Sequence, residues 1–344
     1  MIKTIDVIGI GDALVDISSK VSDDFYKAQS AQTPMSRGKF TRINSATSKA
    51  IYNSIAQLDP PPLVTTGGSV VNTVIGISSF GGKSALLGRV GDDAFGEFFT
   101  REIQANNVIP CLTKDQGNQV TGSCIILVTD DGERTMNSYA GAAGQVSVAD
   151  IERHKVVIQS AQVLLMAGYH FNSASTRDAL NHAAAIAKDA KTAVAFTVAS
   201  ERCITDNRSE MMKFLTDGKV QILFANEGET KTLANTDDFE KSVGIVSQLC
   251  ETVVMTCGAD GAVVAHKGDI IRIPAEEIGE LVDTTGAGDQ FSAGFLYGYT
   301  HGFSMKDSAR LGGMSSAEVI QHMGPRPQIP YAALLQKVRQ PSQP

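Results

Sequence analysis

The densest group of chemistry-bearing residues in this 344-residue chain is Asp283-Thr284-Thr285-Gly286-Ala287-Gly288-Asp289, followed by the apolar helical run Gln290-Phe291-Ser292-Ala293-Gly294-Phe295-Leu296-Tyr297. Small residues at a helix start leave backbone N–H groups bare, and with the positive dipole end they form a cradle for phosphate or a developing oxyanion. Asp289, in the first turn of that helix, reads two ways. It is a carboxylate that counters the dipole, or a general base that takes a proton from a substrate hydroxyl beside an anion hole.

Other junctions offer complementary groups. Gly9-Ile10-Gly11-Asp12-Ala13-Leu14 follows an apolar run, but Leu14 stands where a dinucleotide fingerprint has its third glycine, and the next residues alternate like a strand. Asp12 and Asp16 then remain as acids at the carboxyl end of a strand, where open sheets bind ligands, or as turn-forming and solubilising residues. In Thr65-Thr66-Gly67-Gly68-Ser69-Val70-Val71-Asn72, two glycines let backbone approach a ligand and Asn72 can bond hydroxyls; as plain structure it is a loop capped by Ser69. Gly88 to Gly96 reads as structural, with Asp92 or Asp93 capping a helix. Asn226 and Glu229 lie three apart, suited to holding Mg²⁺ through water or to capping a helix. Thr256-Cys257-Gly258-Ala259-Asp260-Gly261 is either a donor-rich nucleotide turn or a hairpin turn.

These junctions need elements to position them. Apolar runs at 5–10, 83–90, 161–166, 193–198, 220–224, 251–256 and 261–266 suit buried strands, and helical spacing at 70–80, 174–189, 208–217 and 239–249 alternates with several of them. That order predicts right-handed crossovers and a doubly wound α/β body with a mostly parallel sheet. Residues 17–66 read as polar and irregular, 119–139 as a hairpin turning at Asp130-Asp131-Gly132, and both suit a smaller β-rich appendage; the tail after Val338 reads as frayed.

Composition narrows the function classes. With Lys+Arg 30 against Asp+Glu 37 the net charge is −7, so nothing draws the whole chain to nucleic acid, and no apolar stretch has the length of a membrane span. The amino-terminal residues read as a buried strand rather than a secretory leader. Five cysteines without C-x-x-C spacing argue against a disulfide framework or a zinc site, and a reducing cytoplasm fits them.

Taken in order, the junctions resemble the ribokinase-like (PfkB) family of carbohydrate and nucleoside kinases. The carboxyl-terminal signature D-T-x-G-A-G-D is complete at Asp283 through Asp289; Gly81-Gly82 through Gly96, Asn226 with Glu229, and Thr256 to Gly261 fall where the family has its other motifs. The resemblance implies a three-layer α/β/α fold as one domain over 1–344, with a small β-rich lid formed from roughly 14–66 and 109–140. It implies ATP as donor, Mg²⁺, and K⁺ in the potassium-dependent members. By the same likeness Asp289 would be the base and Gly286, Ala287 and Gly288 the anion hole. Asn226 and Glu229 would order Mg²⁺ and water, and Thr256, Gly258 and Gly261 would line the ATP site. Asp283, Thr285 and Gly324 match the positions that hold the monovalent cation. Asp12, Asp16, Gly67, Gly68, Ser69 and Asn72 match acceptor-binding positions, with Asp16 bridging a vicinal diol.

The 51 positions from Asp16 to Gly67 exceed the interval in simple sugar kinases and are similar to the adenosine kinase branch. Arg134-Thr135-Met136-Asn137 and Ala167-Gly168-Tyr169-His170 also look like that branch, with Arg134, Tyr169 and His170 at the acceptor and an aromatic able to stack on a base. The alternative for Tyr169 and His170 is a strand end half packed in the core. Gly312-Gly313-Met314-Ser315 departs from relatives that place Asn or His near adenine. The expected activity is transfer of a phosphoryl group from ATP to the 5′-hydroxyl of a purine ribonucleoside, adenosine above all, by a monomer or homodimer. The rivals are a sugar kinase for ribose, fructose or a keto-deoxy acid, and a nucleoside-binding protein without catalysis.

Overall fold

The structure is a computed structural model that describes residues 2–117 and 119–339; beyond that last residue the frayed-tail expectation lies outside the described residues. The strands in chain order are β1 (Ile5–Ile10), β2 (Leu14–Lys20), β3 (Phe40–Arg42), β4 (Leu63–Gly67), β5 (Ser84–Gly91), β6 (Ile109–Asp115) and β7 (Gly122–Val128). They continue as β8 (Arg134–Tyr139), β9 (Ala161–Ala167), β10 (Ala193–Thr197), β11 (Ile222–Asn226), β12 (Thr252–Thr256), β13 (Ala262–His266) and β14 (Asp269–Ile273). Nine of them form one sheet in the order β14-β13-β12-β11-β10-β9-β1-β5-β6, parallel from β12 to β6 with an antiparallel edge.

Side-chain alternation along β9 shows why this sheet is sandwiched. Val163 and Leu165 pack with Val71 and Val74 of helix Ser69–Ser79 and Phe291 and Phe295 of helix Ala287–Thr300, whereas Leu164 and Met166 pack with Leu180 and Ala184 of helix Ala174–Asp189. A strand with both faces buried reads as a continuous apolar run because period-two alternation serves two cores. The result is the ribokinase-like three-layer α/β/α arrangement.

The chain enters at β1 and leaves toward β5 and β6 on one side, then returns to β9 and builds toward β12 on the other. The strand order therefore reverses between β1 and β9, and the crevice outside their carboxyl ends is where open α/β sheets take ligands.

The five remaining strands form a second sheet, β3-β8-β7-β2-β4, with β7 and β8 as the expected hairpin. Two details differ from the sequence reading. Residues 17–66 are not simply irregular: helices Asp23–Ser30 and Ser45–Ile55 occupy much of the interval, each started by a side-chain cap, from Ser22 and Asn44. Secondly, β6 pairs with β5 in the large sheet, so the second stretch feeding the small sheet starts at Gly122 rather than near 109.

Candidate active site

Helix Ala287–Thr300 starts at Gly286, whose φ of +80° is left-handed and where an added Cβ would sit 2.5 Å from that of Pro325. Only glycine enters that turn without strain. The helix's first N–H groups lack intrahelical acceptors, and Gly288 lines a cavity. Asp289, partly buried, accepts from Ser69 Oγ at 2.5 Å on Oδ1 and from Asn72 Nδ2 at 2.7 Å on Oδ2. Burial pushes its pKa up to about 6, against the pull of those two hydrogen bonds and the Arg326 charge. The carboxylate is thus ionised at neutral pH and of higher basicity than an exposed one. The next residue, buried Gln290, joins three segments by donating to Asn72 O at 3.2 Å and Pro325 O at 2.8 Å.

The structure brings the amino-terminal candidates to the same place. Gly68, at φ +105°, caps helix Ser69–Ser79, and an added Cβ would collide with the Asp12 carbonyl. Gly67 pairs with Leu14 across β2 and β4, and an added Cβ there would collide with the Asp16 carboxylate. Asp12, Asp16, Gly68, Ser69, Tyr169 and His170 line one cavity of about 510 Å³, closed on the other side by Phe40, Cys124 and Tyr139 of the small sheet. His170 is buried, and its Nε2 lies 3.5 Å from Asp12 Oδ1 across the switch point. Tyr169 donates its hydroxyl to Ala199 O at 3.2 Å, and burial raises its pKa. Tyr169 and His170 are therefore both core-packed and cavity-lining, so the two readings of that pair are compatible.

Arg326 escaped the sequence reading. Its Nη2 donates to Thr66 O at 2.6 Å and Thr66 Oγ1 at 2.8 Å, while Nη1 is shielded from solvent without a hydrogen-bond partner. Burial pulls its pKa down to about 10, opposed by the charges of Asp16 and Asp289. Burial likewise pushes Asp16 up to about 6, with Arg326 opposing and Asp289 adding. One guanidinium thus serves two desolvated carboxylates. The available signal was Gly324-Pro325-Arg326-Pro327, a base fixed between prolines after a helix.

A second cavity of about 730 Å³ is lined by Asn226, Thr256, Gly258, Gly261, Gly288 and Phe291, among others. Asn226 and Glu229 form a capping box, each side chain accepting from the other's backbone N–H at 2.8 Å. Burial pushes Glu229 up to about 7, the Asn226 N–H opposing and the Glu201 and Asp289 charges adding. Glu229 has no salt-bridge partner among the described residues; it spends one oxygen on the cap, and it lies behind Asn226 rather than in the cavity lining. Among the described residues no group of three or more His, Cys, Asp or Glu could hold a metal directly.

Asp283, Thr285 and Gly324 also meet, but not around an open position. Asp283 Oδ1 accepts from Thr285 N and Oγ1, Oδ2 accepts from Gly324 N, and Arg134 Nη1 reaches both oxygens at 3.1 and 3.0 Å. Arg134, expected at the acceptor, is here instead. Burial alone would raise the Asp283 pKa, yet the Gly324 and Thr285 hydrogen bonds and the Arg134 charge hold it below the usual carboxylate value. With its lone-pair sites taken by five donor contacts, two of them from the Arg134 guanidinium, this carboxylate does not fit a monovalent cation. Asp93 meanwhile caps helix Ala94–Ala105, as its junction predicted.

Comparison with known proteins bears on the fold that carries this site. A model described as pfkB family carbohydrate kinase matches residues 46–332. The solved adenosine kinase from Sinorhizobium meliloti is 34% identical, with a TM-score of 0.87 over 97% of this chain and 99% of that one. A probable sugar kinase protein from Rhizobium etli CFN 42 is likewise 34% identical at a TM-score of 0.87, covering 98% of this chain and 99% of the other. Adenosine kinase 1 of Arabidopsis thaliana is 26% identical over 350 residues, 92% of this chain and 94% of the relative.

Proposed function

The chain belongs to the pfkB family of carbohydrate kinases, enzymes that phosphorylate an alcohol, and we propose that its acceptor is a purine ribonucleoside, most specifically the 5′-hydroxyl of adenosine, with ATP as donor. The observation that carries this reading is the position of Asp289 between two cavities. Its partner Ser69 lines one and its neighbour Gly288 lines the other.

In this mechanism the ribose lies over Asp12 and Asp16, whose carboxylates accept its vicinal hydroxyls, and the base lies along Tyr169 and Phe40. A cavity of about 510 Å³ falls within the roughly 300–1,000 Å³ usual for such ligands. Ser69 and Asn72 fix the Asp289 carboxylate, which receives the 5′-hydroxyl proton as that oxygen attacks the γ-phosphorus, the bond from the γ-phosphorus to the bridging oxygen breaks and ADP leaves. The N–H groups at Gly286, Ala287 and Gly288 stabilise charge on the transferred phosphoryl, and Arg326 keeps two nearby carboxylates ionised together. Thr256, Gly258 and Gly261 hold the nucleotide. Asn226 and Glu229 would order Mg²⁺ through water, and the ion, when bound, would supply charge neutralisation on the phosphates. The small sheet, built from 14–67 and 122–139, acts as the lid that excludes water over the acceptor. Five free cysteines, three of them buried, accord with a cytoplasmic setting; among the described residues no helix is long and apolar enough to cross a membrane.

The test is ADP release over a panel of adenosine, other nucleosides, ribose, fructose and keto-deoxy acids. Adenosine is expected to give the highest kcat/KM. Preference for a free sugar would transfer the reading to the sugar kinases, the class named for the Rhizobium etli relative. Adenosine binding with no ADP release would mark a binding protein instead.

A further inference from the structure

Arg134 opens β8 of the small sheet, yet its guanidinium is spent on the loop that starts the catalytic helix. Nη1 contacts both Asp283 oxygens and Thr285 Oγ1, the last at 3.0 Å, and Nη2 reaches Met323 Sδ at 3.5 Å. The side chain of Asp283 is 6% exposed, that of Arg134 27%. In this one cluster meet the small sheet, the Asp283–Gly286 turn and, through Gly324 N–H, the segment that presents Pro325 to Gly286 and Arg326 to Asp289.

A buried carboxylate beside an anion hole needs a compensating positive charge, or it repels the very phosphoryl charge the hole is built to stabilise. Here that charge is covalently part of the chain. We propose that the Arg134 guanidinium is the resident cation of this loop, taking the place that the sequence signature reserves for a monovalent ion, so that phosphoryl transfer by this protein is independent of K⁺. The inference rests on the kinase reading of Asp289 and the anion hole. Arg134 is a positioning residue: it acts on the hole through Asp283 and Thr285, and it does so only while β8 lies against the turn. Seating of the small sheet and organisation of the hole are one event.

The first test uses the full-length wild type, with kcat measured in K⁺, Na⁺ or choline at about 0.1 M, where exposed charges are largely screened. Equal rates are expected; a rate raised about tenfold by K⁺ overturns the proposal. The second uses Arg134→Ala, which vacates the position. Its kcat in choline should fall at least about tenfold, the scale of a lost charged hydrogen bond, and recover saturably with K⁺. Its melting temperature should rise by about 2 °C on replacing choline with K⁺, while the wild type stays unmoved. Arg134→Met, which fills the position without charge, should lose activity and gain no response to K⁺, and Arg134→Lys should retain most activity in choline. Loss of activity in Arg134→Ala with no response to K⁺ in either rate or melting refutes the assignment. The melting arm needs no turnover, so it stands even if the acceptor has been misjudged. If Arg134→Ala does not fold, the wild-type ion series and the Arg134→Lys rate decide: a Lys variant that works only with K⁺ refutes it.

Discussion

Replacing Asp289 by Asn should make the protein more stable and almost inactive, and the two effects have separate pH signatures. Burial lifts the Asp289 pKa from 3.8 to about 6. A rise of that size corresponds to a penalty of about 3 kcal/mol for the ionised form in the folded state. The sign follows from proton binding. Between pH 4 and 6 the folded chain holds a proton that the unfolded chain has released, so wild-type stability falls as pH rises through that window. Asn removes the charge at the same shape. One of the two hydrogen bonds from Ser69 and Asn72 is at risk, at about 1 kcal/mol. Asn72 Oδ1, buried and unpartnered, can accept from the new amide if the Asn72 side chain turns over. The net gain is about 2 kcal/mol well above pH 6, and toward pH 4 it passes through zero to a loss of up to about 1 kcal/mol as the charge penalty vanishes. For a chain of 344 residues, with an unfolding entropy of about 0.7 kcal/mol per kelvin, that is a rise of about 3 °C in Tm at pH 8. Turnover should fall by about 10²–10⁴, the range for a lost general base, with nucleotide affinity retained. Calorimetry at pH 8 and pH 4 beside a coupled ADP assay measures both. A kcat within tenfold of wild type refutes the base assignment, and a Tm difference that does not change with pH refutes the desolvation argument.

Three further outcomes follow from the same geometry. The acid limb of kcat/KM should titrate with an apparent pKa near 6, belonging to the Asp16 and Asp289 pair, because ionised Asp289 is the active form; Arg326→Gln should move that limb upward, since the guanidinium holds both values down. Asp16→Asn should raise the KM for the nucleoside about tenfold or more and leave that for ATP unchanged, checked by initial rates with each substrate varied. Gly286→Ala should destabilise by about 1–3 kcal/mol, read by denaturant titration, because φ is +80° and the new methyl meets Pro325.

The sequence by itself determined the alternation of strands and helices in the α/β body and named the candidate base. Apolar runs at 161–166 and 193–198 became β9 and β10 within a residue, and helix Ala174–Asp189 matches its spacing. Those features are local: period-two alternation, helical spacing and glycine at a positive-φ cap are each fixed by neighbours in the chain. Edge strands were less legible. The β6 segment carries Thr113, Lys114 and Asp115, and β14 exposes most of its residues, so neither reads as a buried run. What only the tertiary structure decided is which charges face each other. That Ser69 and Asn72 hold Asp289, 220 and 217 positions away, that the Arg326 charge acts on both Asp289 and Asp16, and that Arg134 closes on Asp283 across 149 positions depends on how β2, β4 and β8 are laid over the switch point. Electrostatic energy depends on distance and burial in space, and separation along the chain carries neither. The sequence therefore named the candidate groups for proton transfer and phosphate binding, and folding decided which of them are neutralised, which are left basic, and which cation sits beside them.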